Sequence, residues 1–502
     1  MIKFNKDYFE SRVRIAERLF EENLYEDCIN YMEKTAFFGW HNFSGYYKSE
    51  KLEILLSKIQ EKVLPEISIK KSEKKSNTIL HIASELYTEG GHSKLLYTWI
   101  KNDQSKKHSI LCTRQSVKEI EDVTAYYLKN SSDLDHLSVH ASSKIESAKL
   151  LQNEVQKDYD IIMLHVHPDE TIPSIVFSQK SIATPVCLVN HADHTFWLGT
   201  SIADLVLQIR ESNIVLDSQR RGIPVERQVF LPIPIENLLT ENNDATKKND
   251  QILQLLSTGT PYKYNPNSSY NFLKEAYRIV EENPNVIFNV VGIDQESDYG
   301  KEYRHERLVL HGIIPAQALA EIEKNTAIYV EGFPMASFTA LLQAALQNIP
   351  FALHYNPLPL FKLFSDRIDD GIVYPDNLEE WHQNVKNLIR DQQYRNNIGK
   401  RQHQYILNNF SIKVWKSRVK EIYLLTEKVN HSFHPPSKDT YYDGDNEKLL
   451  AALDNRTLPH FSFTQKLSLG GKYFVYQMSK HKNPYALYLN PTKVFKYFIF
   501  KK

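Results

Sequence analysis

The chain has 502 residues, with lysine plus arginine (61) matched by aspartate plus glutamate (61) and an apolar fraction of 42 %. That length predicts about three domains, the composition is that of a globular protein, and the balanced charge excludes an electrostatic claim on nucleic acid. Cys28, Cys112 and Cys187 form neither a metal spacing nor a disulfide framework, which fits a reducing compartment, and no segment reads as a signal peptide or spanning helix, so a cytoplasmic protein is expected.

Residues 1–65 read as helices, with apolar residues at three- and four-residue spacing in "YFESRVRIAERLFEENLYEDCINYMEKTAFF" and again in "KLEILLSKIQEKVL". The lysine-rich "KKSEKKSN" (70–77) reads as a solvated linker closing a helical region of 1–75. Short apolar strands then alternate with helices. "TILHIAS", "HSILCTR", "YDIIMLHVH", "TPVCLVNHA", "ADLVLQIR" and "RQVFLPIPI" are strand candidates of a mostly parallel α/β domain over 76–245. After the polar run 236–251 the rhythm restarts with "ILQLLSTGT", "VIFNVVG", "LVLHGII", "TAIYVEGF" and "PFALHY", a second α/β domain over 246–428 with helices from 376 onward. From 429 to 502 an extension begins irregularly ("HSFHPPSKDTYYDGDNEK") and ends aromatic and basic ("KVFKYFIFKK"). Two α/β domains predict a ligand cleft at the carboxyl ends of their strands.

Four constellations fall at those ends. In "YTEGGHSKLL", Gly90 and Gly91 would let backbone N–H groups approach a phosphate at a helix start, and His92 is placed to meet a hydroxyl or to cap the helix. His165, His167, His191, Asp193 and His194 cluster at two strand ends. Without an HxxxH or HExxH pair, acid–base or acceptor-binding work by His191, Asp193 or His194 is favoured over a metal site. Phe196 and Trp197 read either as a sugar-stacking wall or as core. In "STGTPYKYNP", Gly259 leads into a loop whose Lys263 can meet a diphosphate. In "YVEGFPMASFTALLQAAL" a strand ends at Glu331, and Ser337 and Thr339 sit at a helix mouth suited to an anion.

Taken in order over roughly 78–425, these features resemble the retaining GT-B glycosyltransferases of the family 4/group 1 type. The resemblance implies two Rossmann-like domains facing a cleft, with an N-terminal helical region and a C-terminal extension. It implies transfer of a sugar from a nucleotide sugar to an acceptor, without metal or cofactor, a UDP-sugar being the expected substrate. Its catalytic residues would be His191, Asp193, His194 and Glu331. Its donor site would comprise Gly90, Gly91, Gly259, Lys263, Gly292, Gly312, Ser337, Phe338, Thr339 and Gln343. His92, His165, His167, Trp197 and Arg210 would bind the acceptor, with Arg220 and Arg221 further candidates for an acidic one. The family often carries two glutamates eight residues apart. Here position 339 is Thr, and aligning by "LLQAALQNIP" puts Gln343 at the second glutamate, while the Pro-Met-Ala-Ser turn is similar to the O-GlcNAc transferase branch. The expected partners are the nucleotide sugar and a glycan, lipid-linked or protein acceptor. Surface polysaccharide or glycoconjugate assembly is the leading expectation, with the C-terminal tail as a peripheral contact at the inner face of the plasma membrane. Protein-directed transfer and a non-catalytic GT-B binding protein are the alternatives.

Overall fold

A computed structural model describes residues 1–67, 76–88, 91–129, 133–235, 252–267, 269–355 and 362–453. Gly90, most of the lysine-rich linker and the aromatic, basic tail lie outside them.

Three helices open the chain: α1 (Ile2–Glu21), α2 (Tyr25–His41) and α3 (Glu50–Val63). The first α/β unit follows with β1 (Thr78–Ala83), α4 (Gly91–Asn102), β2 (Lys107–Cys112), α5 (Val117–Tyr127), β3 (Asp135–Ser138), α6 (Lys144–Glu154), β4 (Ile161–His165), α7 (Ile172–Val176), β5 (Val186–Asn190), β6 (Leu205–Gln208), α8 (Ser212–Arg221) and β7 (Gln228–Phe230). Its seven strands are ordered β3-β2-β1-β4-β5-β6-β7 and pair in parallel throughout. The second unit comprises β8 (Leu253–Thr258), α9 (Phe272–Glu282), β9 (Val286–Val291), α10 (Asp298–Glu302), β10 (Leu308–Leu310), α11 (Ala316–Asn325), β11 (Thr326–Val330), α12 (Phe338–Leu346), β12 (Phe351–Ala352), α13 (Leu378–Arg390) and α14 (Gln392–Phe410). Its parallel sheet is ordered β10-β9-β8-β11-β12. Helix α15 (Ile412–Thr426) and helix α16 (Asp445–Leu453) complete the described chain.

Period-two alternation gives each buried strand two apolar faces. Leu80, Ile82, Ile162 and Leu164 belong to one apolar cluster with Phe9, Val13, Met32, Leu56 and Ile59 of α1–α3, so the helical region shares one core with the first sheet. Glu53 of α3, buried, accepts N–H bonds from Gly199, Thr200 and Ser201, and Glu26 of α2 accepts those of Lys144 and Ile145 at the start of α6. On the other face Ile79, Ile161, Met163 and Cys187 meet Trp415, Val419 and Ile422. Those residues belong to α15, which has crossed back from the second unit beside the isolated bridge of Ile235 with Ser411.

Several expectations are corrected. "RQVFLPIPI" extends the first sheet only over Gln228–Phe230, because Pro232 and Pro234 cannot donate to a ladder, and beyond them Ile235 makes only its isolated bridge to Ser411. "PFALHY" pairs only over Phe351–Ala352, since the next free N–H, that of His354, goes to the Glu331 side chain at 2.6 Å. The edge strand β3 went unread because "DHLS" has no apolar run and stays half-exposed. The segment expected to be irregular turns helical at Asp445.

Candidate functional site

Strand order reverses between β1 and β4 in the first sheet and between β8 and β11 in the second. Loops leaving such neighbours diverge and open a crevice at the carboxyl ends.

In the second crevice the floor is backbone. Gly292 has φ +110°, and a Cβ there would lie 1.8 Å from the carbonyl oxygen of Gly259, so the loops after β8 and β9 touch main chain to main chain. The Gly292 N–H donates to the carbonyl of Gly312 at 2.7 Å, joining the loop after β10. Lys263, in the short turn Pro261–Tyr264, donates from Nζ to the Ala336 carbonyl at 3.1 Å and to Ser337 Oγ at 3.4 Å. It therefore stands at the N-terminus of α12, whose first-turn N–H groups have no intrahelical acceptor. Burial lowers the Lys263 pKa and no carboxylate acts to raise it. A half-buried cation facing the positive end of a helix is a site built for an anion.

Around this cradle the expected donor residues divide. The Ser337 side chain makes no capping bond, so its hydroxyl stays beside Lys263 and Gly259. Thr339 and Gln343 are exposed on α12. Phe338 is corrected: its ring packs on Phe364 and Phe410, at 5.8 and 5.7 Å, as core. Glu331 is 1 % exposed. One carboxyl oxygen accepts the His354 N–H and the other has no partner. Burial pushes its pKa up to about 8, so it is a neutral acid wedged between the ends of β11 and β12 rather than a carboxylate presented to solvent.

The first crevice is lined by rings. His92, His167 and His191 form a chain with centroids 5.5 Å (His92–His167) and 5.4 Å (His92–His191) apart. Tyr87 stacks on His167 at 6.5 Å. The backbone carbonyls beside them fix tautomers, because a carbonyl can only accept. His92 Nε2–H donates to the Glu85 carbonyl at 2.8 Å, leaving the Nδ1 lone pair free of that bond. His191 Nδ1–H donates to the Val189 carbonyl at 3.3 Å, leaving Nε2 as the basic atom. Burial lowers all three pKa values, His167 to about 4 and His191 to about 3, so the rings are uncharged. A Cβ on Gly91 would meet nothing within 4 Å, so the start of α4 faces open space.

His165 lies beneath this surface, 1 % exposed, which corrects its expected contact with an acceptor. It ends a hydrogen-bonded row across three strands: His165 Nε2 to His81 Nδ1 at 3.0 Å, His81 Nε2 to His108 Nδ1 at 2.9 Å, and His108 Nε2 to the Asp103 carbonyl at 3.1 Å. The terminal carbonyl sets every tautomer in the row to Nε2–H, so His165 holds its lone pair on Nδ1.

Other expected residues are structural. Asp193 is buried between Arg210 (2.7 Å), Asn213 and His194 (3.2 Å). Despite burial, Arg210 above all holds its pKa well below the usual carboxylate range, so it moves no proton near neutrality. Arg210 is thereby occupied, and His194 is tied to the same carboxylate. Trp197, 3 % exposed, takes the core alternative, which corrects its expected contact with an acceptor, and lies 4.9 Å from the Arg221 guanidinium. Phe196 packs on Phe9 at 5.3 Å. Arg221 is paired with Asp217, and Arg220 with Glu447 at 3.0 Å. The loop carrying Arg210 does meet the second unit, where Ser212 Oγ donates to the Lys362 carbonyl at 2.8 Å and Arg367 pairs with Glu211 at 3.2 Å.

Sequence reasoning missed Trp40 of α2, whose ring lies 5.6 Å from His167, and the His81–His108 row. A histidine inside the buried apolar strand "TILHIA" was the available signal for the row; nothing local pointed to Trp40. Among the described residues, no group of three or more His, Cys, Asp or Glu is placed to hold a metal ion.

No family model matches the chain, and no curated protein does. Among solved structures it is similar to an O-GlcNAc transferase mutant from Thermobaculum terrenum (12 % identity, 83 % of each chain, TM-score 0.49). It is also similar to HepE from Anabaena in complex with UDP and glucose (13 % identity, 69 % of this chain and 98 % of that one, TM-score 0.49). A third is a glycosyltransferase from Rickettsia africae (12 % identity, 71 % and 100 %, TM-score 0.49). The strand orders, the two switch-point crevices and the returning helix α15 identify the architecture from the chain itself: it has a GT-B-like fold of two Rossmann-like α/β units.

Proposed function

We propose that the chain transfers a sugar from a nucleoside diphosphate sugar, a UDP-sugar in the first instance, to an acceptor hydroxyl. The observation that carries this reading is Lys263, a half-buried ammonium with no carboxylate acting on it, set at the mouth of α12 over a glycine floor. In the transfer, the bond from the anomeric carbon to the diphosphate oxygen breaks and a bond to the acceptor oxygen forms. The acceptor proton leaves with the departing phosphate oxygen, and His191 Nε2 orients the acceptor hydroxyl by accepting its hydrogen bond. Lys263 and the α12 amides stabilise the charge developing on the diphosphate, without a resident metal. With both groups on one face of the sugar, the outcome is retaining. The product class is a surface polysaccharide or glycoconjugate.

Thermal stabilisation by UDP, GDP, CMP and dTDP and their sugars tests this reading. A nucleotide at a hundredfold its Kd contributes about 2.7 kcal/mol. One class should shift the melt in wild type and fail to do so in Lys263→Ala. No shift with any of them sinks the reading. The neutral, buried Glu331 favours a second reading, a binding protein without turnover; nucleotide binding with no nucleotide release from any sugar donor would select it.

A further inference from the structure

The helical region contributes to the first crevice something that donor chemistry does not require. Trp40, at the end of α2, extends the row of rings begun by Tyr87, His92, His167 and His191. Tyr87 is 44 % exposed and the other four are half-buried, so one wall of five rings faces outward from four separate segments. The charge at its edge favours donating groups over anions: the Glu85 carboxylate lies 4.0 Å from His167 Nδ1 and accepts from the Tyr87 hydroxyl. The guanidinium bordering His167, that of Arg114, is committed to Glu170 at 3.1 Å, Asp169 at 3.2 Å and Glu33 at 3.7 Å. The imidazoles are neutral, and the backbone bonds of His92 and His191 leave Nδ1 of one and Nε2 of the other as acceptors.

Flat apolar faces beside uncharged hydrogen-bond acceptors suit a ligand with C–H faces and donating hydroxyls. A phosphate or carboxylate would find no uncommitted cation at Arg114. An extended peptide would want a sheet edge or a charged groove. We propose that this wall is the acceptor subsite and that it takes a neutral sugar residue, stacked on Trp40 and Tyr87 with hydroxyls on His92 and His191. The inference rests on the sugar-transfer reading and names its acceptor class. It assigns the helices α1–α3 a role in that recognition.

The test is saturation-transfer NMR on the full chain with maltotriose, cellotriose and chitobiose as neutral probes, and glucose 6-phosphate and a serine-rich peptide as alternatives. The same samples are melted with the nucleotide panel. A neutral probe should bind, with transfer strongest at its ring C–H protons. Trp40→Ala should bind it roughly tenfold more weakly, equivalent to about 1.4 kcal/mol, and Trp40→Phe should recover most of the loss. Tyr87→Ala, at an exposed position, guards against misfolding of the tryptophan variant and should weaken binding as well. Nucleotide stabilisation should be unchanged in all three. Binding of only the phosphorylated sugar or the peptide overturns the proposal, as does wild-type affinity in both alanine variants. Absence of every neutral probe from a chain that binds nucleotide overturns it too. If no nucleotide stabilises the protein, the transfer reading fails instead, and a neutral-sugar signal lost in Trp40→Ala still upholds the subsite.

Discussion

Burial acts on single residues here with opposite signs for acids and imidazoles. For Glu331 the folded pKa rises from 4.5 to about 8 because a carboxylate with one unpartnered oxygen would be poorly solvated. Between those values the folded chain holds a proton that the unfolded chain has released, so this group's stabilisation fades as pH rises through the window and is gone above about 8. Glu331→Gln removes the titration. Its melting point should therefore gain on wild type between about pH 5 and about pH 9; a constant offset at the two pH values would refute the assignment. The buried histidines behave in the reverse sense. With folded pKa values of about 3 for His165 and His191 and about 4 for His167, against 6.5 unfolded, their contribution is present above 6.5 and lost as pH falls toward the folded values. Their tautomers give a sharper check. ¹⁵N spectra of histidine-labelled protein should show Nε2–H imidazoles at His81, His108 and His165 and an Nδ1–H imidazole at His191, none titrating near neutrality. A titrating His81, or an Nδ1–H form anywhere in the row, would break the hydrogen-bond assignment.

At the level of elements, the contact between the loops after β8 and β9 is the least forgiving feature. Gly292→Ala would have to hold a left-handed backbone while moving its methyl off the Gly259 carbonyl. A loss of about 3 kcal/mol or more is expected, read as a lowered urea midpoint. An unchanged midpoint would mean that the floor of the crevice is not as tight as described. This loop, like Lys263 and the mouth of α12, was legible in the sequence because it follows a buried apolar run, and parallel sheets place such loops at one end. The strands themselves were legible for the same reason. What failed was orientation within consecutive residues. "VNHADHTFW" does not reveal that Asp193 turns inward to Arg210 and Trp197 to Arg221 while His191 remains half-exposed. Nor could spacing pair Trp40 with His167, since that contact depends on α2 packing against the first domain and not on any local pattern.

For the whole molecule, residues 428–453 do what their irregular sequence conceals. After α15 the chain runs along the first domain, where His431 bonds Asp204 at 2.8 Å and the Phe177 carbonyl at 2.6 Å. It then reaches the turn between α2 and α3, where the Tyr442 N–H donates to the Gly45 carbonyl at 2.9 Å. Lys48, 3 % exposed, has its ammonium on the Ser437 carbonyl and 3.4 Å from Asp439. Glu447 of α16 accepts from Tyr47 at 3.1 Å, and Leu450 and Ala451 cover Phe43, Tyr47 and Leu216. Met335, two residues before Ser337 in the loop that leads into α12, packs against the same cluster. A chain ending at 427 should consequently lose both this apolar cover and the partners of a buried cation, the latter alone worth about 3–5 kcal/mol. A chain ending at 453 keeps both. The comparison isolates 428–453 from the tail beyond it, with urea unfolding as the measurement. Because Met335 shares the cluster, the shorter chain should also give a smaller thermal shift with the nucleotide that stabilises the longer one. Equal midpoints for the two chains would show that the strap merely lies on the surface. Unequal midpoints with equal nucleotide shifts would show that it braces the first domain and leaves the loop before α12 to itself.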